Sequence, residues 1–448
     1  MTDTIYALAT APVRAAIGVI RMSGPEAFSI AEKIVRYRGQ NRLIGAEQSR
    51  NLSFGRICDG EETVDEAVIC AFRAPHSYTG EDSVEFSCHG GLYLLSRVQG
   101  LLAAQGARQA TAGEFTKRAF LNGKTDLIRA EGVIDLIDAD YQASAKIAVR
   151  ALEGKVGQAV AAAEELLLSA SAQLLAFVDY PDDEIGEIDP EALKRDLTGA
   201  LEQLSALCGS YEQGRMVRDG VRVVLCGKPN VGKSSLMNRI GGAERAIVTD
   251  RAGTTRDVIE ATVVFGGCKL ILTDTAGLRE TDDAVEQIGV ARAKEAAETA
   301  DLVLCVFDET DTDFSLGEEW VKRGKKTVCL FNKWDEAYPL PKLSYAPEMI
   351  LPVSAKTGEG LDRLADYVAE QFGTGRQKNT EIVTGERQHD CLLRVTRALQ
   401  RAIDAMEISY DAVLAEAEEA LAAVGELTGK TVSDRIVNEI FSRFCVGK

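Results

Sequence analysis

Gly227-Lys228-Pro229-Asn230-Val231-Gly232-Lys233-Ser234, followed at once by Ser235, is the stretch whose reading settles how the middle of the chain folds. Ahead of it runs the apolar segment Val221 to Leu225, of a length that suits a buried strand, and behind it the spacing turns helical. A glycine-rich turn of pattern GxxxxGK[ST] between a strand and a helix is a phosphate loop. Its glycines let backbone N–H groups turn inward onto phosphate oxygens. Lys233 can reach the β- and γ-phosphates of a nucleoside triphosphate, and the Ser234 hydroxyl can ligate Mg²⁺.

Outward from this loop, three more short elements stand at the ends of candidate strands, where open α/β sheets bind ligands. Asp274-Thr275-Ala276-Gly277 closes the run LILT. Asp274 can hold Mg²⁺ through water, and Gly277 can meet the γ-phosphate. Asn332-Lys333-Trp334-Asp335 closes TVCLF. A carboxylate at Asp335 can accept from guanine N1–H and N2–H₂, a donor pair that adenine lacks, so guanine is the expected base. Ser354-Ala355-Lys356 follows the next strand and can support the base from its other side.

Between the first two elements lies Thr249-Asp250-Arg251-Ala252-Gly253-Thr254-Thr255-Arg256-Asp257. A threonine here can complete the Mg²⁺ shell and sense the γ-phosphate, as a switch loop does, and composition leaves Thr254 and Thr255 equally open. Many GTPases place Gln directly after DxxG to orient the attacking water. Leu278 stands there and can neither donate nor accept, so Glu280, Asp282, Asp283 and Glu286 become the candidates. Arg256 and Arg279 could in principle stabilise transition-state charge.

The texture of the chain changes three times. Residues 1–118 mix short apolar segments (Ile17 to Ile20, Ala67 to Phe72, Val84 to Phe86) with Gly, Pro, Ser and Asn, as an α+β domain does. From 119 to 215 the spacing is helical, with VGQAVAAAEELLLSASAQLLAFV as its longest run and a further helix from Glu191 to about Gln213. From 216 to 375 the strand candidates Val221 to Leu225, Leu270 to Leu272, Leu302 to Phe307, Thr327 to Phe331 and Ile350 to Val353 alternate with helical stretches, the pattern of a doubly wound, largely parallel sheet. Residues 376–448 are helical again, and Ser433 is the expected N-cap of a last helix through Ile436, Ile440 and Phe441. One discontinuous helical domain with the α/β domain inserted is the economical reading, and two separate helical domains the alternative.

The 448 residues suggest about three domains. Their 46% hydrophobic and 27% charged content suits globular cores and excludes a disordered or low-complexity chain. A net charge of −18 argues against a large self-sufficient nucleic-acid surface. The 10 cysteines contain no CxxC pair and the histidines are only His76, His89 and His389, so zinc spacing is unsupported. Cys226, Cys305 and Cys329 lie in apolar runs, as reduced cysteines do, which points to the cytoplasm. No signal peptide and no run of 18 apolar residues is expected.

With these elements assembled, the chain resembles, end to end, the MnmE (TrmE) family of tRNA modification GTPases. The resemblance rests on IYALATAPVRAAIGVIRMSG, SYTGEDSVEFSCHGG, GEFTKRAFLNGKTDLIRAEGVIDLIDA, the switch GTTRD, DTAGLRETDDAVEQIG and the C-terminal FCVGK. It implies a multidomain α/β fold: an N-terminal α+β folate-binding and dimerisation domain over 1–118, a discontinuous helical domain over 119–215 plus 376–448, and an inserted doubly wound, Ras-like P-loop G domain over 216–375. It implies GTP hydrolysis with Mg²⁺, accelerated by K⁺ when two G domains meet. The cation then places positive charge near the β–γ bridge where negative charge develops. By motif position, Asn230 would coordinate K⁺ with Thr249, the Arg251 backbone and Thr254. Ser234 and Thr255 would hold Mg²⁺, and Glu286 would orient the water, which fills the gap left by Leu278.

In the N-terminal domain the resemblance implies a 5,10-methylene- or 5-formyl-tetrahydrofolate ligand at Arg21, Glu85, Lys124 and Lys448, with Cys445 nearby, as a structural or accessory residue or as a catalytic thiol. Arg and Lys can pair the ligand's glutamate carboxylates, and Glu can accept from pterin donors. The implied assembly is a homodimer joined to the FAD protein MnmG (GidA) in a heterotetramer-type complex. That complex installs an aminomethyl or carboxymethylaminomethyl group at C5 of the wobble uridine of certain tRNAs. Gly18 to Gly24 lacks GxGxxG spacing, so flavin chemistry and most tRNA contact fall to the partner. Two readings compete: a regulatory or ribosome-assembly GTPase, and a folate enzyme whose G domain is peripheral.

Overall fold

The computed structural model describes residues 3–37, 50–179, 188–243, 260–274, 296–334, 340–373 and 381–448. The chain divides into two compact units, Met1–Ile134 with Leu421–Lys448, and Asp135–Ala420.

In the first unit, β1 (Ile5–Leu8), β2 (Ile17–Ser23), α1 (Ala27–Ile34), β3 (Val35–Tyr37), β4 (Arg50–Asp59), β5 (Glu62–Phe72), β6 (Ser83–His89), α2 (Leu92–Ala104) and β7 (Arg108–Gln109) build a sheet of order β3-β4-β5-β6-β2-β1-β7. Neighbours are antiparallel except β1 with β7. Burial alternates along β5, as it must when only one face of a pleated strand meets a core. The inner face (Ile20, Met22, Ile57, Ala67, Ile69, Phe86) packs on Ile30 and Ile34 of α1 and Leu95, Val98 and Leu102 of α2. On the other face, strand register lines up Leu52, Cys70, Glu85 and Arg21 in one row across four strands. The β1 end of that face is covered by α3 (Glu114–Leu121), whose Phe115 packs on Ile5, Ala7 and Ala110. At the β4 end Leu52 and Phe54 stay 71% and 55% exposed. The chain leaves through α4 (Leu127–Ile137).

The second unit opens with α5 (Gln142–Leu152), α6 (Lys155–Asp179), α7 (Pro190–Gly209) and α8 (Tyr211–Asp219). In α6, Val156, Val160, Ala163, Leu167, Ala170 and Leu174 recur every three or four residues and are buried, and α7 presents buried Leu193, Leu197, Ala200 and Leu204 at the same spacing. Sequence reading found no run of 18 apolar residues, because Glu164 and Glu165 interrupt this one. By length and composition alone α6 is nevertheless apolar enough to cross a membrane. Asp189 caps α7 by accepting from the Glu191 and Ala192 N–H groups, with Pro190 in the first turn. The helix expected to end near Gln213 instead breaks at Ser210 and resumes to Asp219. There the Ser210 hydroxyl donates to Leu207 O and accepts from Val383 N–H.

Then β8 (Val221–Cys226), α9 (Lys233–Ala243), β9 (Glu260–Phe265), β10 (Cys268–Asp274), β11 (Leu302–Phe307), α10 (Ser315–Lys322), β12 (Thr327–Phe331), β13 (Met349–Pro352) and α11 (Leu361–Phe372) form a six-stranded sheet of order β13-β12-β11-β8-β10-β9. All pairs are parallel except the edge strand β9, a strand absent from the sequence reading. Leu236, Met237 and Ile240 of α9 and Leu361, Leu364, Val368 and Phe372 of α11 cover one face. Ala297, Ala300 and Trp320 cover the other. With both faces buried, β11 and β12 are buried at every residue and cannot alternate. Chain order reverses direction at β8, which puts the loop after β8 at the switch point of the sheet.

Finally come α12 (Glu386–Ala405), α13 (Tyr410–Thr428) and α14 (Asp434–Ser442). In the first unit, Val437, Ile440 and Phe441 of α14 pack on Leu127, Ala130 and Phe444. Ser433 occupies the N-cap position as expected, but its side chain makes no capping bond.

Candidate functional site

The strands β8, β10, β11, β12 and β13 end along one edge of the parallel sheet, and the motifs stand at the ends of four of them. In the first, Asn230 is held at φ +65° and Gly232 at φ +99°. The Asn332 side-chain amide lies where a Cβ on residue 232 would have to sit, so this position needs glycine for both room and backbone angle. Asn332 Nδ2 donates to Val231 O (2.8 Å) and its Oδ1 accepts from Ala355 N–H (3.0 Å). One buried amide therefore ties the phosphate loop to the Ser354-Ala355-Lys356 turn.

Lys233 is buried, and its Nζ donates to Gly227 O and Lys228 O, each at 2.8 Å, inside the curl of the loop. Burial pulls its ammonium below the usual lysine range against the opposing charge of Asp274. The Ser234 hydroxyl donates to Asp274 Oδ2 at 2.7 Å. A hydroxyl and a carboxylate oxygen brought together beside a lysine are the hard donors a magnesium ion takes. Ser235 and Asn230 are exposed.

On the base side, Lys333 sits at φ +63° and its Nζ pairs with Asp308 Oδ2 at 2.6 Å. Ser354 is fully buried; its hydroxyl accepts from Thr357 N–H (3.2 Å) and its carbonyl from Gly358 N–H (2.8 Å), which shapes the turn. Lys356 O accepts from Arg239 of α9 at 2.9 Å. Thr249, Asp250, Arg251, Ala252, Gly253, Thr254, Thr255, Thr275, Ala276, Gly277, Glu286 and Asp335 lie outside the described residues.

The first unit gathers the second set. Arg21 Nε donates to Glu85 Oε1 at 2.8 Å across β2 and β6. The Arg21 guanidinium lies over the rings of Tyr78 (5.3 Å) and Phe115 (5.7 Å). Tyr78 is fixed by a 2.9 Å bond between its hydroxyl and Thr116 Oγ1. The last residues fold onto this face: Val446 bridges Ala112, Phe115 N–H donates to Lys448 O (3.2 Å), and Gly447 O lies 3.5 Å from Arg21 Nη1. Lys124 Nζ donates to Pro75 O at 2.9 Å, beside the segment that carries Tyr78. Cys445 is an exposed free thiol, and all ten cysteines are free.

Sequence reasoning missed Tyr78, Phe115 and Thr116 around Arg21. It also missed Asp308 and Asp311 beside the phosphate loop. A repeated Asp directly after a buried strand was the one available signal for the latter pair.

Comparison with known proteins places the whole chain. Residues 4–124 match the family model described as the GTP-binding protein TrmE N-terminus, and residues 127–445 that of the MnmE helical domain. The chain is 42% identical over 451 residues to a tRNA modification GTPase MnmE of Thermus thermophilus, covering 100% of both. It is 41% identical to that of Symbiobacterium thermophilum, covering 100% of this chain and 99% of the relative. A solved structure of Aquifex aeolicus Era bound to GDP and AlF4⁻ is 28% identical over 40% of this chain and 66% of its own; its TM-score of 0.28 adds nothing to what the strand order shows.

Proposed function

Because the chain belongs to the MnmE family of tRNA modification GTPases, and is thus a GTP hydrolase acting in tRNA modification, we propose that it cleaves GTP at the β8–β13 loop edge in the course of modifying the wobble uridine. The Ser234–Asp274 contact beside Lys233 is the observation that carries this reading.

Lys233 holds the β- and γ-phosphate oxygens, and the loop's backbone N–H groups from Asn230 to Ser235 cradle the phosphates. Asp335 accepts from guanine, with Lys333 and Ser354-Ala355-Lys356 enclosing the ring. Glu286 orients the attacking water, a task Leu278 cannot perform. Ser234 and Thr255, with Asp274 through water, would hold Mg²⁺, which would supply positive charge at the β- and γ-oxygens. Asn230 offers an exposed amide oxygen that suits a monovalent cation, and with Thr249, Arg251 and Thr254 it makes the K⁺ site.

The N-terminal part of the three-part chain (1–118; 119–215 plus 376–448; 216–375) binds a tetrahydrofolate one-carbon donor. Arg21, with Nε taken by Glu85 and Nη1 turned to Gly447 O, presents Nη2 to a carboxylate, Lys124 and Lys448 add cations, and Glu85 accepts from pterin N–H groups. Exposed Leu52 and Phe54 on the same sheet face favour a homodimer. The FAD-dependent MnmG supplies flavin chemistry and most tRNA contact, in the cytoplasm.

Mass analysis of wobble nucleosides in cells with and without the protein tests the tRNA role; unaltered nucleosides would favour the regulatory GTPase. Hydrolysis measured in K⁺, Na⁺ and Cs⁺ tests the cation: equal rates in all three would remove K⁺ from the mechanism.

A further inference from the structure

Beside the phosphate loop lies a turn that no motif marks. β11 ends at Phe307 and the chain turns through Asp308-Glu309-Thr310-Asp311. Asp308 Oδ1 accepts from the Thr310 N–H (3.0 Å) and hydroxyl (2.6 Å), and Asp311 Oδ2 accepts from the Asp308 N–H (3.0 Å). The side chains of Asp308 and Asp311 are 4% and 1% exposed. A carboxylate so buried must find a cation or several donors. Each finds its cation in a different part of the nucleotide site. Asp308 takes Lys333 of the base-reading segment at 2.6 Å, and Asp311 takes Lys228 of the phosphate loop at 2.8 Å. The carbonyl of that same Lys228 accepts from Lys233. One four-residue turn thus grips both halves of the site.

We propose that Asp311 is a positioning residue for guanine nucleotide binding: through Lys228 it holds the phosphate loop in register with the base-reading segment that Asp308 holds through Lys333. This rests on reading residues 227–234 as the phosphate site. Lys228 is 56% exposed while Asp311 is buried, so the aspartate is the anchor and the lysine the part it restrains. Losing the pair should shorten nucleotide residence without touching the groups that act on the γ-phosphate.

The test compares Asp311→Asn, Lys228→Met, the double variant, Lys228→Arg and Lys233→Ala in the full chain. The readouts are KM and kcat for GTP, the GDP dissociation rate and the melting temperature. Asp311→Asn and Lys228→Met should each raise KM and the dissociation rate about tenfold with kcat within about twofold. The double variant should be no worse than the worse single, because both remove one interaction. Lys228→Arg should behave as wild type. The exposed Lys228 keeps the test open should Asp311→Asn fold poorly. Wild-type nucleotide release from Lys228→Met, an additive double variant, or a fall in kcat at constant KM would overturn the positioning role alone, provided Lys233→Ala has lost hydrolysis. Undiminished hydrolysis in Lys233→Ala would overturn the phosphate-loop reading and the proposal with it.

Discussion

The two sheets solve the problem of holding polar groups in opposite ways. The parallel β8–β13 sheet is buried on both faces, so its chemistry is confined to the loops at its carboxyl edge. The β1–β7 sheet keeps one face open at β4, and its chemistry stands on the strands themselves, with Arg21 and Glu85 as cross-strand neighbours. A loop site is written in consecutive residues, and short motifs announce it. A face site is written in every second residue of several strands, and only the register assembles it.

If that contrast is right, the two sites should fail independently. The largest effect is expected from Lys233→Ala, which should lower GTP hydrolysis about 10³-fold while tetrahydrofolate binding, read by equilibrium dialysis, stays unchanged. A parallel loss of folate binding would show that the sites are not separate. Next in size, Glu286→Ala should leave GTP affinity nearly intact and slow hydrolysis about 10²-fold, the scale of a positioned catalytic group. Near-normal single-turnover rates would reject its role. Arg21→Ala is the converse experiment: tetrahydrofolate affinity should fall about 30-fold as a charged partner is lost, with GTP turnover unaffected.

The smallest effect concerns stability in the first unit. Burial pushes the Glu114 carboxyl up, but Arg108, the Thr111 N–H and Arg118 outweigh it and hold the group at about 2. A carboxyl depressed in the folded state stabilises above its unfolded value of about 4.5, and that stabilisation fades as pH falls toward 2. Glu114→Gln should therefore lower the melting temperature by a few degrees at neutral pH and flatten its decline between about pH 4.5 and 2. An acid limb as steep as wild type would place the titration elsewhere.

Much of this is legible in the sequence. The strands Leu302–Phe307 and Thr327–Phe331 stand at the bounds read from their apolar runs, because continuous burial leaves a continuous signal. β9 escaped notice because an edge strand needs no such run, and the Gly55-Arg56 interruption within Arg50–Asp59 hides β4 in the same way. The Asn332 amide is expected in the nucleotide site from its motif, but that it bonds the phosphate loop to the Ser354 turn is a link that sequence spacing cannot show. Arg21 and Glu85 were reached only through resemblance. Nothing local distinguishes them from other surface charges until β2 and β6 pair.

The bridge between Ala112 and Val446 sets an order of events during synthesis. At roughly 5–20 residues per second, a ribosome needs tens of seconds to travel from one of these partners to the other. The interrupted unit waits through that interval with its Arg21 face uncovered by residues 445–448, while Asp135–Ala420 is synthesised in between. Vectorial translation thus favours the parallel sheet with its Gly227–Ser234 loop first and closure over the Arg21 face last.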